Sequence, residues 1–239
     1  ENVDRLLKAP SNQRGRDFAI MLAAFNQLGY SVEWRVINAA DYGRAQRRRR
    51  VFFFVFRNDT KWGKRLHTKY EATLANDADL NARLECYAPY IFEDGLFGRQ
   101  FPVKGEAVKK RINANKLDED IAEVSANFSD GKMWNSGLMT NGYYYTIETE
   151  PKGDEEPIPM KKIVVKENQV PEDYYVDGEK LEKFKYLRGP KKITRTAANG
   201  HTYTFSEGGM SEYDSLELPG RTMLTSEGSV NRSTHLLKI

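Results

Sequence analysis

The run Val51-Phe52-Phe53-Phe54-Val55-Phe56 constrains this chain more than any other segment. Six consecutive β-branched and aromatic residues suit a strand that is covered on both faces, as in the interior of an α/β sheet. Residues 14–28 offer a cover. Phe18, Met21, Leu22, Phe25 and Leu28 fall on one stripe of a helix, and Gly29 is a natural stop. Tyr30 to Ile37 alternates with β-branched and aromatic residues and reads as a strand, Asn38 to Gly43 as a turn, and Arg50 to Phe56 as the apolar strand. The first 58 residues are therefore helix, strand, loop, strand. That is part of a larger sheet, too little to cover both of its faces alone.

Beyond Asp59 the pattern changes. Residues 59–116 are mixed and polar, with a helix expected near 70–86, and a short helix is expected at 117–127. Trp134 to Thr149 reads as a β-hairpin turning at Asn141-Gly142, a dipeptide suited to the tight turn between antiparallel strands. Lys152 to Pro159 is a charged loop, Ile163–Asp177 and Lys180–Leu187 a strand or short-helix pair, His201–Phe205 a strand, and Arg221–Ser226 a final β-like stretch. The expected organisation is 1–58 as one partial domain and 59–239 as a second, irregular and β-leaning.

Composition narrows the function classes. Apolar residues make up 39% and charged residues 30% of the chain, so collagen-like and disordered classes are excluded. The longest apolar runs fall far below the ~20 residues a membrane helix needs. The single cysteine, Cys86, cannot form an internal disulfide, which fits a reducing compartment. His67, His201 and His235 lie far apart, so no metal site is expected. Net charge is only +3, but Arg44 and Arg47–Arg50 crowd five arginines together, and Lys191, Lys192 and Arg195 form a second patch. Such patches can grip a phosphate backbone; a solvated surface patch is the alternative.

Side chains alternate along a strand, so Gln46, Arg48 and Arg50 should share one face leading into the apolar run. The segment Asn38-Ala39-Ala40-Asp41-Tyr42-Gly43-Arg44-Ala45-Gln46-Arg47-Arg48-Arg49-Arg50 resembles the N-A-x-D-Y-G-x-x-Q-x-R-x-R block of DNA cytosine-5 methyltransferases. Glu1-Asn2-Val3 matches that family's E-N-V motif, at the same helix-and-strand separation. Arg221-Thr222-Met223-Leu224-Thr225-Ser226-Glu227-Gly228 is similar to the stretch that closes its target-recognition region. The resemblance is close over the first 58 residues and moderate over about the last fifty.

The resemblance implies an α/β fold: the C-terminal half of a Rossmann-like methyltransferase sheet plus a mixed, β-rich target-recognition domain. It implies methyl transfer from S-adenosylmethionine to carbon 5 of a cytosine flipped out of double-stranded DNA. Glu1, Arg48 and Arg50 would be catalytic, with Glu1 at ring N3 and the arginines at O2 and nearby phosphate. Asn2, Val3 and Gln46 would shape the substrate pocket. Thr222, with Arg221 and Thr225 beside it, and Lys191, Lys192 and Arg195 would contact DNA. The family's Pro-Cys nucleophile and its glycine-rich cofactor turn do not occur in the sequence, and Cys86, with no preceding proline, is expected to be structural. The chain is thus expected to be an inactive fragment, binding S-adenosylmethionine poorly. The alternative is the DNA-recognition subunit of a split enzyme, whose partner is the complementary half. A cytoplasmic bacterial or phage setting, with a cognate restriction endonuclease, is the expected context.

Overall fold

The computed structural model describes residues 1–75, 77–105, 111–129 and 131–238. The chain forms two compact units, Glu1–Tyr42 with Arg49–Glu155, and Gly43–Arg48 with Glu156–Ile239. It is a mixed α/β protein.

The larger unit is built on a five-stranded sheet in the order β2-β1-β4-β5-β3, antiparallel at every pairing. The strands are β1 (Tyr30–Asn38), β2 (Arg49–Arg57), β3 (Ile112–Lys116), β4 (Ser136–Thr140) and β5 (Tyr143–Ile147). The apolar strand β2 takes an outer position in this sheet, not the interior one its sequence suggested. Its two-sided apolar character has a different cause, since helices cover both faces. On one face Phe18, Leu22, Val32, Trp34, Val51 and Met139 form a core under α1 (Arg16–Gln27), joined by Val124 of α5 (Ile121–Asn127). On the other, Phe56, Leu138, Tyr145 and Ile147 pack with Leu66 of α2 (Lys61–Lys69) and Tyr87 of α3 (Leu80–Pro89).

Local chemistry accounts for the boundaries. Gly29, at φ 74°, ends α1 in the left-handed region that a glycine enters without penalty. Asn141 and Gly142, at φ 49° and 78°, make the tight β4–β5 turn that their sequence announced. Thr60, Asp79 and Asp120 cap α2, α3 and α5 through their side-chain oxygens. The expected helix near 70–86 is split: α2 precedes it, and α3 begins at the Asp79 cap.

The face of β1 opposite Trp34 is polar and buried. Glu33 accepts hydrogen bonds from the backbone N–H groups of Leu96 and Phe97, both at 2.9 Å, and from the Tyr90 hydroxyl. Arg35 donates to the carbonyls of Ile91, Phe97 and Phe101. The pair thus satisfies both ends of α4 (Leu96–Gln100). Burial pushes the Glu33 carboxyl above its ordinary value, against the pull of those N–H groups and Arg35.

The smaller unit contains α6 (Gly178–Arg188) and a two-stranded sheet, β6 (Lys191–Thr196) paired with β7 (Thr202–Glu207). Segment 163–177 forms only 3₁₀ turns where a strand or helix was expected. Arg221–Ser226 is not a strand, because its backbone and side chains bond to other segments. The core here is ionic. Arg188, almost wholly buried, donates to the carbonyls of Ser211, Glu212 and Thr234 and to Asp214 at 2.8 Å.

Candidate functional site

In the larger unit, Asn2 pairs with Val51 through two backbone hydrogen bonds of 2.9 Å each. This bridge lays Glu1-Asn2-Val3 antiparallel along the outer edge of β2, with Val3 opposite Arg50 and Glu1 opposite Phe52. The Asn2 side chain accepts from Val3 N at 2.8 Å and fixes the bend into the following turn. Arg49 points to Asp4 and pairs with it at 2.8 Å. Arg50, its neighbour on the strand, turns to the opposite face, and its guanidinium donates to the Arg49 carbonyl. A carboxylate, an amide and a half-buried guanidinium therefore gather at one end of β2.

Gln46 and Arg48 belong to the smaller unit, and β2 begins only at Arg49. Gln46, Arg48 and Arg50 are thus not one strand face as their spacing suggested. Gln46 instead bridges Gly220 in parallel. Arg47 N donates to Gly220 O at 2.7 Å, Gly220 N to Ala45 O at 2.8 Å, and the Thr222 hydroxyl to Arg47 O at 2.9 Å. The two blocks that carried the resemblance are therefore stitched to each other. Gly220 suits this close approach: a Cβ there would lie 3.3 Å from His235 and 3.4 Å from Ala45 O.

Arg221 sits in an internal network. Its guanidinium pairs with Asp214 at 2.6 Å, and its backbone N–H donates to His235 Nε2 at 2.9 Å. An accepting Nε2 leaves the proton on Nδ1, which faces Glu227 at 2.9 Å. Burial works against the Asp214 charge. Hydrogen bonds from Arg221, Arg188 and Leu236 N outweigh it and hold the carboxyl well below the usual carboxylate range. Arg221 thus fixes the loop, while Thr225 is exposed on it.

Lys191, Lys192 and Arg195, for which phosphate contact and a solvated loop were the alternatives, lie on strand β6. The β6–β7 hairpin presents one face of Lys192, Thr194, Thr196, Thr202, Thr204 and Ser206, all exposed. The other face carries Arg195 stacked over Phe205 at 3.8 Å and Lys191 bonded to Leu187 O. Cys86 is half-buried, its thiol donating to Tyr70 O at 3.1 Å. Sequence reading missed the Arg188–Asp214–Arg221 network, whose members are far apart in the chain. It also missed Trp134, whose hairpin position gave no sign of the cations around it.

Among the described residues, no His, Cys, Asp and Glu cluster could hold a metal ion, and no helix is long and apolar enough to cross a membrane. S-adenosylmethionine finds no fit in the strand-to-helix turns described. Asn58-Asp59-Thr60 after β2 and residues 117–120 after β3 carry no glycine to let a nucleotide approach the backbone.

The sheet, the Glu1–Arg50 edge and the stitched Gln46–Gly220 blocks belong to a DNA-modifying class of protein: residues 1–203 match the C-5 cytosine-specific DNA methylase family, and the chain belongs to it. Over all 239 residues it is 52% identical to Type II methyltransferase M.Sau3AI of Staphylococcus aureus, and it spans 53% of that protein's length. Type II methyltransferase M.NlaIV of Neisseria lactamica is 39% identical over 56 residues, which are 22% of this chain and 13% of that protein. Type II methyltransferase M.HhaI of Haemophilus parahaemolyticus is 39% identical over 49 residues, 20% and 15% of the two chains. No solved structure matches.

Proposed function

We propose that the chain is the cytosine-recognising and DNA-recognising part of a sequence-specific DNA cytosine-5 methyltransferase. In this reading residues 1–58 belong to the catalytic domain and 59–239 to target recognition. The substrate is duplex DNA with one cytosine turned out of the stack, because the reacting carbon is out of reach inside it. The observation that supports the reading is the antiparallel Asn2–Val51 bridge, whose register runs Val3 past Arg50 and Glu1 past Phe52, one diagonal step from Arg50 on the same side of β2.

Glu1 then meets ring N3 and the exocyclic amine and favours a proton on N3. That draws electrons from carbon 6 and opens it to a nucleophile. Arg50 donates to the cytosine O2, where negative charge develops. Asn2 and Val3 shape the pocket wall. Gln46 and Arg48 support the neighbouring backbone, Thr222 anchors the loop through the Arg47 carbonyl, and the exposed Thr225 meets phosphate. S-adenosylmethionine supplies the methyl group in the whole enzyme, and none of the steps assigned to these residues runs through it. The hairpin is narrow enough for a major groove, which admits a two-stranded ribbon. Its hydroxyl face and Lys192 can donate to base edges and phosphates, with Lys191 and Arg195 positioning the ribbon.

The test is a chimera in which this chain replaces the segment of M.Sau3AI that it matches, assayed by tritium transfer from labelled S-adenosylmethionine to duplex DNA. The chimera should methylate, and Glu1→Gln or Arg50→Ala within it should cut turnover by roughly two to four orders of magnitude. The 239-residue chain alone should read background, since the sequence lacks the Pro-Cys motif. Near-normal turnover in Arg50→Ala would overturn its assignment to O2.

A further inference from the structure

We propose that a hollow around Trp134, at the same end of the sheet as Asn2 and Arg50, grips a phosphate of the DNA that flanks the target cytosine. This rests on the methyltransferase reading above but concerns residues outside its motifs and outside the hairpin.

The hollow encloses about 320 Å³ and is lined by Lys8, Arg14, Arg111, Lys132, Trp134 and Glu148 among others. Four cations thus share it with one carboxylate, Glu148, which pairs with Arg111. The Trp134 ring holds two of the cations in place, the Lys132 ammonium 5.4 Å and the Arg111 guanidinium 5.9 Å from its centre. Four like charges held together repel one another, and a bound anion relieves that repulsion.

Register says how far the hollow lies from Arg50. Val51 faces Val36, Val36 N bonds to Asn135 O at 2.7 Å, and Glu148 N bonds to Arg111 O at 2.9 Å. The β4–β5 register, continued by one residue, sets Asn135 against Glu148. Asn2, Val51, Val36, Asn135, Glu148 and Arg111 therefore form a single row across the sheet. Arg50 lies one residue beyond its second member, and Trp134 one residue beyond its fourth. Strand spacing of about 4.8 Å puts β2 and β3 roughly 19 Å apart. A duplex advances about 3.4 Å per nucleotide, so that separation equals the length of five to six steps. Without a ligand the same groups would form a solvated cluster whose arginine and lysine cover a half-buried indole.

The test is binding of the 239-residue chain to duplex DNA, by fluorescence anisotropy over a series of salt concentrations. The double variant Arg111→Gln/Lys132→Gln should weaken binding alike for unrelated sequences. It should lower the slope of log K against log salt by about 1 to 2, since each phosphate contact contributes ~0.9. The charge-keeping pair Arg111→Lys/Lys132→Arg should restore most of it, and the charge-matched control Lys64→Gln/Lys180→Gln should leave the slope unchanged. An unaltered far-ultraviolet circular dichroism spectrum and thermal midpoint would show that the fold is kept. Binding by the unaltered chain with the double variant indistinguishable from the control would overturn the phosphate site alone. No salt-dependent binding by the unaltered chain would overturn the DNA-contact reading and this site with it.

Discussion

Gly137 on β4 lies directly under the Trp34 indole. A Cβ added there would stand 2.1 Å from Trp34 Cζ2, 2.4 Å from Cη2 and 2.5 Å from Tyr145 O. Ordinary contact needs about 3.5 Å, so Gly137→Ala must push the indole by more than an ångström. Trp34 has little room to yield. It is fully buried, meets Phe18 edge-on at 5.1 Å and donates from Nε1 to Trp134 O at 3.1 Å. Overpacking costs about 1–3 kcal/mol. Orphaning the indole N–H adds about 1–3 kcal/mol. The expected loss is about 4 kcal/mol, or a fall of about 2 M in the urea midpoint for a slope near 2 kcal/mol per M. The three tryptophans, Trp34, Trp62 and Trp134, all lie in the larger unit, so their fluorescence reports its unfolding. The two closest atoms belong to the benzo ring and the third is the Tyr145 carbonyl, so Trp34→Phe should partly rescue Gly137→Ala in a double-mutant cycle. A midpoint within about 0.3 M of the parent, or strict additivity with Trp34→Phe, would refute this reasoning.

In the smaller unit, Asp214→Asn leaves the buried Arg188 charge without its partner and should cost about 3–5 kcal/mol, read by circular dichroism on heating. The folded Asp214 carboxyl lies below its unfolded value of about 3.9. Its stabilisation is therefore complete above that pH and fades as pH falls toward the folded value. An acid titration should show Asp214→Asn closing on the parent below about pH 4, and a constant gap would contradict it. At the β4–β5 turn, Gly142→Ala should cost about 1–2 kcal/mol, because its φ of 78° disfavours a side chain; a neutral result in urea would discount the turn's strain.

What was legible in the sequence was local. Periodicity located α1, β1 and the start of β2, and Asn141-Gly142 located a hairpin, because their neighbours in sequence are their neighbours in space. Within that hairpin Tyr144 and Tyr145 are fully buried. The position of β2 was not legible. Its apolar run reports that both faces are covered, and covering helices do that as well at the sheet's edge as inside it. Strand β3, Ile112-Asn113-Ala114-Asn115-Lys116, carries little apolar signal and is held by pairing with β5. The spacing of Gln46, Arg48 and Arg50 invited a continuous strand, but Gly220 captures Gln46 before the strand begins. Only tertiary hydrogen bonding showed that Thr222 and Arg221 spend their bonds on Arg47 and Asp214.

Residues 43–48 are an excursion: the backbone leaves the larger unit after Tyr42, contributes one short bridge to the smaller, and returns at Arg49. The smaller unit is therefore encoded in two separated stretches of gene. A single crossover near codon 155 would transplant the distal stretch stripped of the bridge that clasps Gly220. Exchange of the smaller unit between relatives must carry the short arginine-rich stretch along with the distal one, or keep it identical in both parents.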